Sequence, residues 1–150
     1  MRYFKLLSIL LIISSISSCC IKEKTCSILT FKNLELINFS AEDATGDLIL
    51  TAYQANTSYT QLKNIMKFKG EATSDAKIFK VNTPELSAAD EYQLEIVKTG
   101  VKYRIGSFTV EKVSCGKCFM RSNNQFGYSL NGYTVNGRSY NYDGKLLIVK

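Results

Sequence analysis

The chain has 150 residues with 19 Lys and Arg, 13 Asp and Glu, five cysteines, and neither histidine nor tryptophan. The absence of histidine excludes Ser-His-Asp and Cys-His nucleophiles, two-histidine zinc motifs and any histidine general base, so we expect no enzyme, no metal site and no cofactor. The formal net charge of +6 comes from scattered basic residues that form no run of the kind that binds nucleic acid.

The N-terminal segment has the three parts of a secretory signal peptide. Arg2 and Lys5 give a basic start, residues 6–13 form an apolar run, and small serines lead up to residue 18. The apolar run is far shorter than the roughly 20 residues that span a bilayer. We therefore predict a signal peptide over residues 1–18 rather than a transmembrane anchor.

The end of this segment, Ile16-Ser17-Ser18-Cys19, resembles the lipobox of bacterial lipoproteins. The resemblance implies that the Cys19 thiol is thioether-linked to a diacylglycerol and that Cys19 becomes the first residue of the mature chain. Cys20 fits less well, because a serine stands three residues before it. In this family an aspartate after the lipidated cysteine signals retention at the inner membrane. Cys20 stands there instead, which favours the outer membrane of a Gram-negative cell. Residues 19–25 would then form a lipidated tether.

Several acyl chains on one cysteine would hold the protein on the membrane, because each buried methylene contributes about 0.8 kcal/mol and one chain alone binds only reversibly. The expected partners are therefore the membrane, through the N-terminal lipid, and a protein or glycan of the cell envelope.

From residue 28 onward the pattern indicates short strands. The stretches "ILTF", "LELINF", "DLILTAY", "KIFKV" and "EYQLEIV" alternate apolar and polar residues or are continuously apolar. The stretch "TSYTQLKNIMKFKG" allows a helix or a strand, and a strand is favoured. Pro84 is expected in a loop, and the only adjacent acids, Glu42-Asp43 and Asp90-Glu91, are expected in solvated turns.

The C-terminal third carries bulge and turn signals. In "VKYRIGSFTVEKV" the apolar phase slips by one residue at Gly106-Ser107, which predicts a β-bulge. Three later dipeptides predict tight hairpins, because both central positions of a type I′ turn need positive φ. They are Asn131-Gly132, Asn136-Gly137 and Asp143-Gly144. Residues 119–150 are therefore expected to add a hairpin meander.

About eight strands predict one all-β domain over residues 26–150, an antiparallel sandwich. The stretch "LSAADEYQL" resembles the tyrosine-corner segment of immunoglobulin-like and fibronectin-III-like sandwiches, although the family's usual proline is replaced by Ala88. The resemblance implies that the Tyr92 hydroxyl bonds to backbone just upstream and that Leu86 fills the core.

Four cysteines remain beside the lipidated one, and an exported protein with four can form up to two disulfides. They are Cys20, Cys26, Cys115 and Cys118. A local Cys115–Cys118 bridge is favoured, and a bond from one of these two to Cys26 is the alternative. A redox role for this C-x-x-C is less favoured, because the motif follows a strand rather than opening a helix.

The expected function is that of a membrane-anchored envelope lipoprotein with a non-catalytic structural or protein-interaction role. One alternative is a carbohydrate- or peptide-binding module, since tyrosine rings with amide side chains suit such ligands. Its candidate residues are Tyr128, Tyr133, Tyr140 and Tyr142. A second alternative is a thiol-disulfide protein that uses the C-x-x-C motif.

Overall fold

The computed structural model describes residues 29–114 and 126–150. Within these residues the chain forms ten strands and one short helix. No helix in this part of the chain is long and apolar enough to cross a bilayer. The strands are β1 (Thr30–Ile37), β2 (Leu48–Gln54), β3 (Leu62–Phe68), β4 (Glu71–Ala72), β5 (Ile78–Ser87), β6 (Asp90–Ile96), β7 (Val101–Ser114), β8 (Phe126–Val135), β9 (Arg138–Asn141) and β10 (Leu146–Val149), and the helix is α1 (Ala41–Thr45).

The chain divides into two compact units. One comprises Ile28–Glu111 and Ser129–Lys150 and contains nearly all of the described strands. The other comprises Met1–Ser27 and Lys112–Tyr128 and lies largely outside the described residues.

The strands form two sheets, with the orders β10-β1-β5-β4 and β3-β2-β6-β7-β8-β9. The resolved pairings are antiparallel except that of β10 with β1, which is parallel. Buried apolar side chains of both sheets belong to one core cluster, so the sheets pack as a sandwich. The prediction of an all-β, largely antiparallel sandwich is confirmed.

A chain of aromatic rings joins the sheets inside this core. Phe31 of β1 packs edge-to-face on Tyr92 of β6 with ring centroids 5.6 Å apart, and lies 5.3 Å from Phe108 of β7. The hydroxyl of buried Tyr92 donates a 2.9 Å hydrogen bond to the Ser87 carbonyl, and Leu86 is buried beside the same corner. The predicted tyrosine-corner contact is thus confirmed. It satisfies a polar group that burial would otherwise leave unpaired.

The short helix α1 was not predicted. Ser40 caps it, because its hydroxyl accepts a hydrogen bond from the Asp43 backbone N–H. Asp43 is buried rather than solvated, and one of its carboxylate oxygens lies 3.0 Å from Lys150 Nζ. The predicted turn at Glu42-Asp43 is therefore wrong, because these acids occupy the first turn of a capped helix.

Only one of the three predicted hairpins forms as expected. Asn136-Gly137 joins β8 to β9 with φ of 50° and 81°, as a type I′ turn requires. Asn131-Gly132 lies inside β8, where a Cβ on Gly132 would come 2.9 Å from the Tyr140 carbonyl oxygen. Gly144 has φ of 97°, but its turn leads from β9 to β10, which belongs to the other sheet. The meander therefore ends at β9.

Of three further local predictions, two are confirmed and one is wrong. The strand over residues 62–68 is confirmed. The phase slip is confirmed as well, since Ile105 and Phe108 both face the core and Ser107 between them has φ of 48°. Pro84 lies within β5 instead of a loop. It falls in the stretch where the pairing with β1 shifts register, and a bulge is where a strand tolerates a residue without an N–H.

Candidate functional site

The residues predicted to carry the lipid and the disulfides lie outside the described part of the chain. They are Cys19, Cys20, Cys26, Cys115 and Cys118. Their roles stay predictions.

The four tyrosines of the proposed binding tail do not share one exposed surface. Tyr133 is buried, its hydroxyl accepts a 2.5 Å hydrogen bond from the Leu147 N–H, and its ring stacks on Tyr140 at 5.6 Å. Tyr140 and Tyr142 are partly buried against the core, whereas Tyr128 is half exposed. Tyrosine here mainly fills the sandwich, so the hypothesis of binding through this tail loses its basis.

A different surface gathers polar side chains on the outer face of the six-stranded sheet. It is an open cavity of about 930 Å³, which we call the polar cleft. Its main polar side chains come from the β2–β3 loop, from β6 and β7, and from β8 and the turn that follows it. They are Tyr59, Glu91, Gln93, Arg104, Thr134 and Asn136.

Strand alternation explains why these side chains face outward. In β6 the buried residues Tyr92 and Leu94 alternate with Glu91 and Gln93, which therefore point to the opposite face of the sheet. Antiparallel pairing sets Gln93 of β6 beside Arg104 of β7. The prediction that Asp90-Glu91 forms a solvated turn is wrong, because both residues lie in β6.

The turn between β8 and β9 is held on β7 by two hydrogen bonds of Asn136, one from its backbone and one to its side chain. The Asn136 N–H donates to the Arg104 carbonyl at 2.8 Å, and the Asn136 Oδ1 accepts from the Arg104 N–H at 2.8 Å. Thr134 donates to the Gly106 carbonyl at 3.1 Å. These bonds fix the backbone beneath the cleft.

Left-handed backbone concentrates at this cleft. Among the described residues, six that are not glycine have positive φ, and five of those six line the cleft. They are Asn56, Ser58, Tyr59, Ser107 and Asn136. The type I′ turn accounts for Asn136 and the bulge for Ser107, but two consecutive left-handed residues at Ser58 and Tyr59 are unusual for side chains of this kind. Such conformations cost about 1 kcal/mol or more each and cluster at functional sites.

Tyr59 is held between charged and aromatic neighbours. The Arg104 guanidinium carbon lies 5.2 Å from the centroid of its ring, and the ring packs edge-on to Tyr53 at 5.5 Å. Partial burial raises the pKa of Tyr59, the negative charge of Glu91 raises it further, and Arg104 opposes both. Tyr59 is therefore a neutral hydroxyl at physiological pH.

Glu91 lies at the floor of the cleft with one oxygen unused. Its Oε1 is 3.4 Å from the Asn56 N–H, whereas its Oε2 is buried and has no hydrogen-bond partner among the described residues. Space for it comes from Gly106, where a Cβ would approach Glu91 Cγ and Tyr59 Oη to 3.2 Å each. A buried acceptor without a donor costs stability.

The described residues contain no group of three or more Cys, Asp or Glu side chains placed to hold a metal ion. The polar cleft instead offers a carboxylate acceptor, a guanidinium donor, amides and hydroxyls, which suit binding of a polar molecule. Comparison of the chain with protein-family models, curated proteins and solved structures finds no match.

Proposed function

We propose that this chain is a lipid-anchored protein of the bacterial cell envelope whose β-sandwich binds a partner, without catalysis, through the polar cleft. The observation that carries the binding role is the pair of consecutive left-handed residues Ser58 and Tyr59, whose side chains are unusual in this conformation and which line the cavity beside Arg104. Strain of this kind persists only where surrounding contacts hold it, and it is typical of ligand sites.

The proposed location rests on the lipobox-like stretch Ile16-Ser17-Ser18-Cys19. A lipid on Cys19 would leave the chain from residue 20 to the start of β1 at Thr30 as the connection between membrane and sandwich. Ten extended residues reach at most about 35 Å, so the sandwich would work close to the membrane surface.

We further propose that the sandwich is of the immunoglobulin-like type. That fold has strands A-B-E-D in one sheet and C-F-G in the other. Reading β1, β2, β5, β6 and β7 as B, C, E, F and G reproduces the neighbours within both sheets, with β4 as D. The position of strand A is taken by β10, which runs parallel to β1. The Tyr92 contact at the β5–β6 corner supports the same assignment.

Metabolic labelling with a palmitate analogue tests the anchor. The wild type is expected to take up label and Cys19→Ser to lose it. Label that persists in Cys19→Ser would move the site to Cys20, and a wild type without label would contradict the lipoprotein assignment.

Cross-linking in intact cells tests the binding role. An envelope component captured by the full chain is expected to be lost with Arg104→Gln, which removes the guanidinium over Tyr59. It is expected to be kept with Lys32→Gln, which changes an exposed charge on β1 in the other sheet. Equal capture by both variants would contradict a role for the polar cleft.

A further inference from the structure

We propose that the polar cleft binds a neutral oligosaccharide, a ligand that is uncharged and dense in hydroxyl groups. This inference rests on the proposed binding function and adds the chemical class of the ligand.

The charges of the cleft favour an uncharged ligand. Lys102 pairs with Glu95 at 3.2 Å, which leaves Arg104 and Glu91 as the opposed charges within the cleft. A site for a polyanion would show an excess of basic side chains. An anionic ligand would also bring its charge towards the Glu91 carboxylate, which repels it.

The hydrogen-bonding groups favour hydroxyls in particular. Glu91 brings a carboxylate that only accepts hydrogen bonds, and the exposed Arg104 guanidinium only donates them. A hydroxyl donates and accepts at once, so neighbouring hydroxyls of one sugar can serve both side chains. Gln93 lies beside Arg104 and adds an amide that can do the same.

The sheet beneath the cleft argues against an extended peptide added as a strand. β6 lies between β2 and β7, and β7 between β6 and β8, so the backbone groups of these strands are already paired. Strand addition needs a free sheet edge. Recognition at this face must therefore come from side chains and from the loops at its end.

The cleft is also of suitable size and partly prearranged. Its volume of about 930 Å³ lies near the upper end of the roughly 300–1,000 Å³ found for ligand sites. Contact with Tyr59 restrains Arg104, and the ring edge of Tyr59 offers an apolar surface beside a hydroxyl. Prearrangement of this kind reduces the entropy lost on binding.

Calorimetric titration of the full-length protein tests the inference. The protein is held in lauryldimethylamine oxide, because detergents with sugar headgroups would compete. The probes are maltohexaose, cellohexaose and chitohexaose as neutral oligosaccharides, heparin as a polyanion, and an unstructured heptapeptide. We expect at least one neutral oligosaccharide to bind, with an affinity that salt does not change.

Two variants locate that binding. Arg104→Gln and Glu91→Gln are each expected to weaken it about tenfold, the effect of losing one charged hydrogen-bond partner. Glu71→Gln on β4 and Lys32→Gln on β1, both exposed, are expected to leave it unchanged. Near-ultraviolet circular dichroism checks that each variant is folded.

Several results would overturn the inference: no binding of any neutral probe, tighter and salt-sensitive binding of heparin, preference for the peptide, or equal loss in the control variants. If the neutral probes fail while cross-linking still depends on Arg104, the ligand class is wrong and the proposed binding function stands. If both fail, the function of the polar cleft fails as well.

Discussion

The core between the sheets and the polar cleft use the same residue types in opposite ways. In the core, the Tyr92 hydroxyl bonds to Ser87 and the Tyr133 hydroxyl bonds to Leu147, so both of these buried phenols have a backbone partner. In the cleft, Tyr59 has left-handed backbone and lies beside Glu91, whose buried Oε2 has no hydrogen-bond partner within residues 29–114 and 126–150. The first arrangement is what stability requires, and the second costs stability.

The difference separates residues that hold the fold from residues that are free to serve binding. A side chain whose loss leaves backbone groups unpaired is expected to matter for unfolding. A side chain whose own group is unpaired is expected to matter little for unfolding and strongly for a ligand. The following substitutions test that separation.

The largest effect is expected from Gly70→Ala at the junction of α1 with the strand β4. The Gly70 N–H donates to the Ala44 carbonyl at 2.9 Å, and an added Cβ would lie 2.3 Å from that oxygen. We expect a loss of about 3 kcal/mol in the free energy of unfolding. Urea denaturation measures it, with Gly100→Ala as control, because Gly100 has φ of 67° and open space and should lose only about 1 kcal/mol.

Tyr133→Phe and Tyr59→Phe compare the two regions directly. Removing the Tyr133 hydroxyl leaves the Leu147 N–H without its acceptor, so we expect a loss of about 2 kcal/mol. Removing the Tyr59 hydroxyl should change the free energy of unfolding by less than about 0.5 kcal/mol. Urea denaturation of both variants checks this, and equal losses would contradict the separation of the two regions.

Acid should weaken the ion pair between Asp43 of α1 and Lys150, which follows β10. The hydrogen bonds from Lys150 and Ser40 lower the pKa of Asp43 below its usual value of 3.8. A lowered folded-state pKa gives stability that is present above the unfolded value and lost as pH falls through the folded value. The melting temperature should therefore fall below about pH 4 in the wild type. It should fall less in Asp43→Asn, whose melting temperature is already lower at neutral pH.

The smallest effect is expected from Glu91→Gln. The substitution removes a negative charge whose buried Oε2 has no hydrogen-bond partner in the described part of the chain, so the free energy of unfolding should stay the same or rise slightly. Glu35→Gln is the contrast, since Glu35 Oε2 lies 2.9 Å from Lys145 Nζ and its loss removes an ion pair. Urea midpoints compare the two. A clear loss of stability in Glu91→Gln would show that the carboxylate serves the fold.

Much of the fold could be predicted because strand alternation is local. The pattern of "EYQLEIV" placed Tyr92 and Leu94 on one face, and the sandwich buries both. Turn signals were less reliable. Asn136-Gly137 forms its turn, whereas Gly132 is needed for the close approach of Tyr140, a contact between strands that no dipeptide reveals.

The polar cleft was missed for a related reason. Alternation alone already placed Gln93 and Arg104 on faces opposite to the buried residues. Their meeting depends on the register of β6 with β7, and the position of Tyr59 depends on a loop with unusual backbone angles. Register and loop shape are set by the whole sandwich, so the sequence showed the components of the site without showing that they meet.

The parallel pairing of β10 with β1 also sets the order in which the protein can be completed. Lys150 reaches Asp43 across 107 positions of the sequence, and the edge of β1 that faces away from β5 gains its partner only when β10 has been synthesised. Contacts between such distant positions form slowly. The pairing of β1 is therefore completed late, after every strand of the six-stranded sheet has been synthesised.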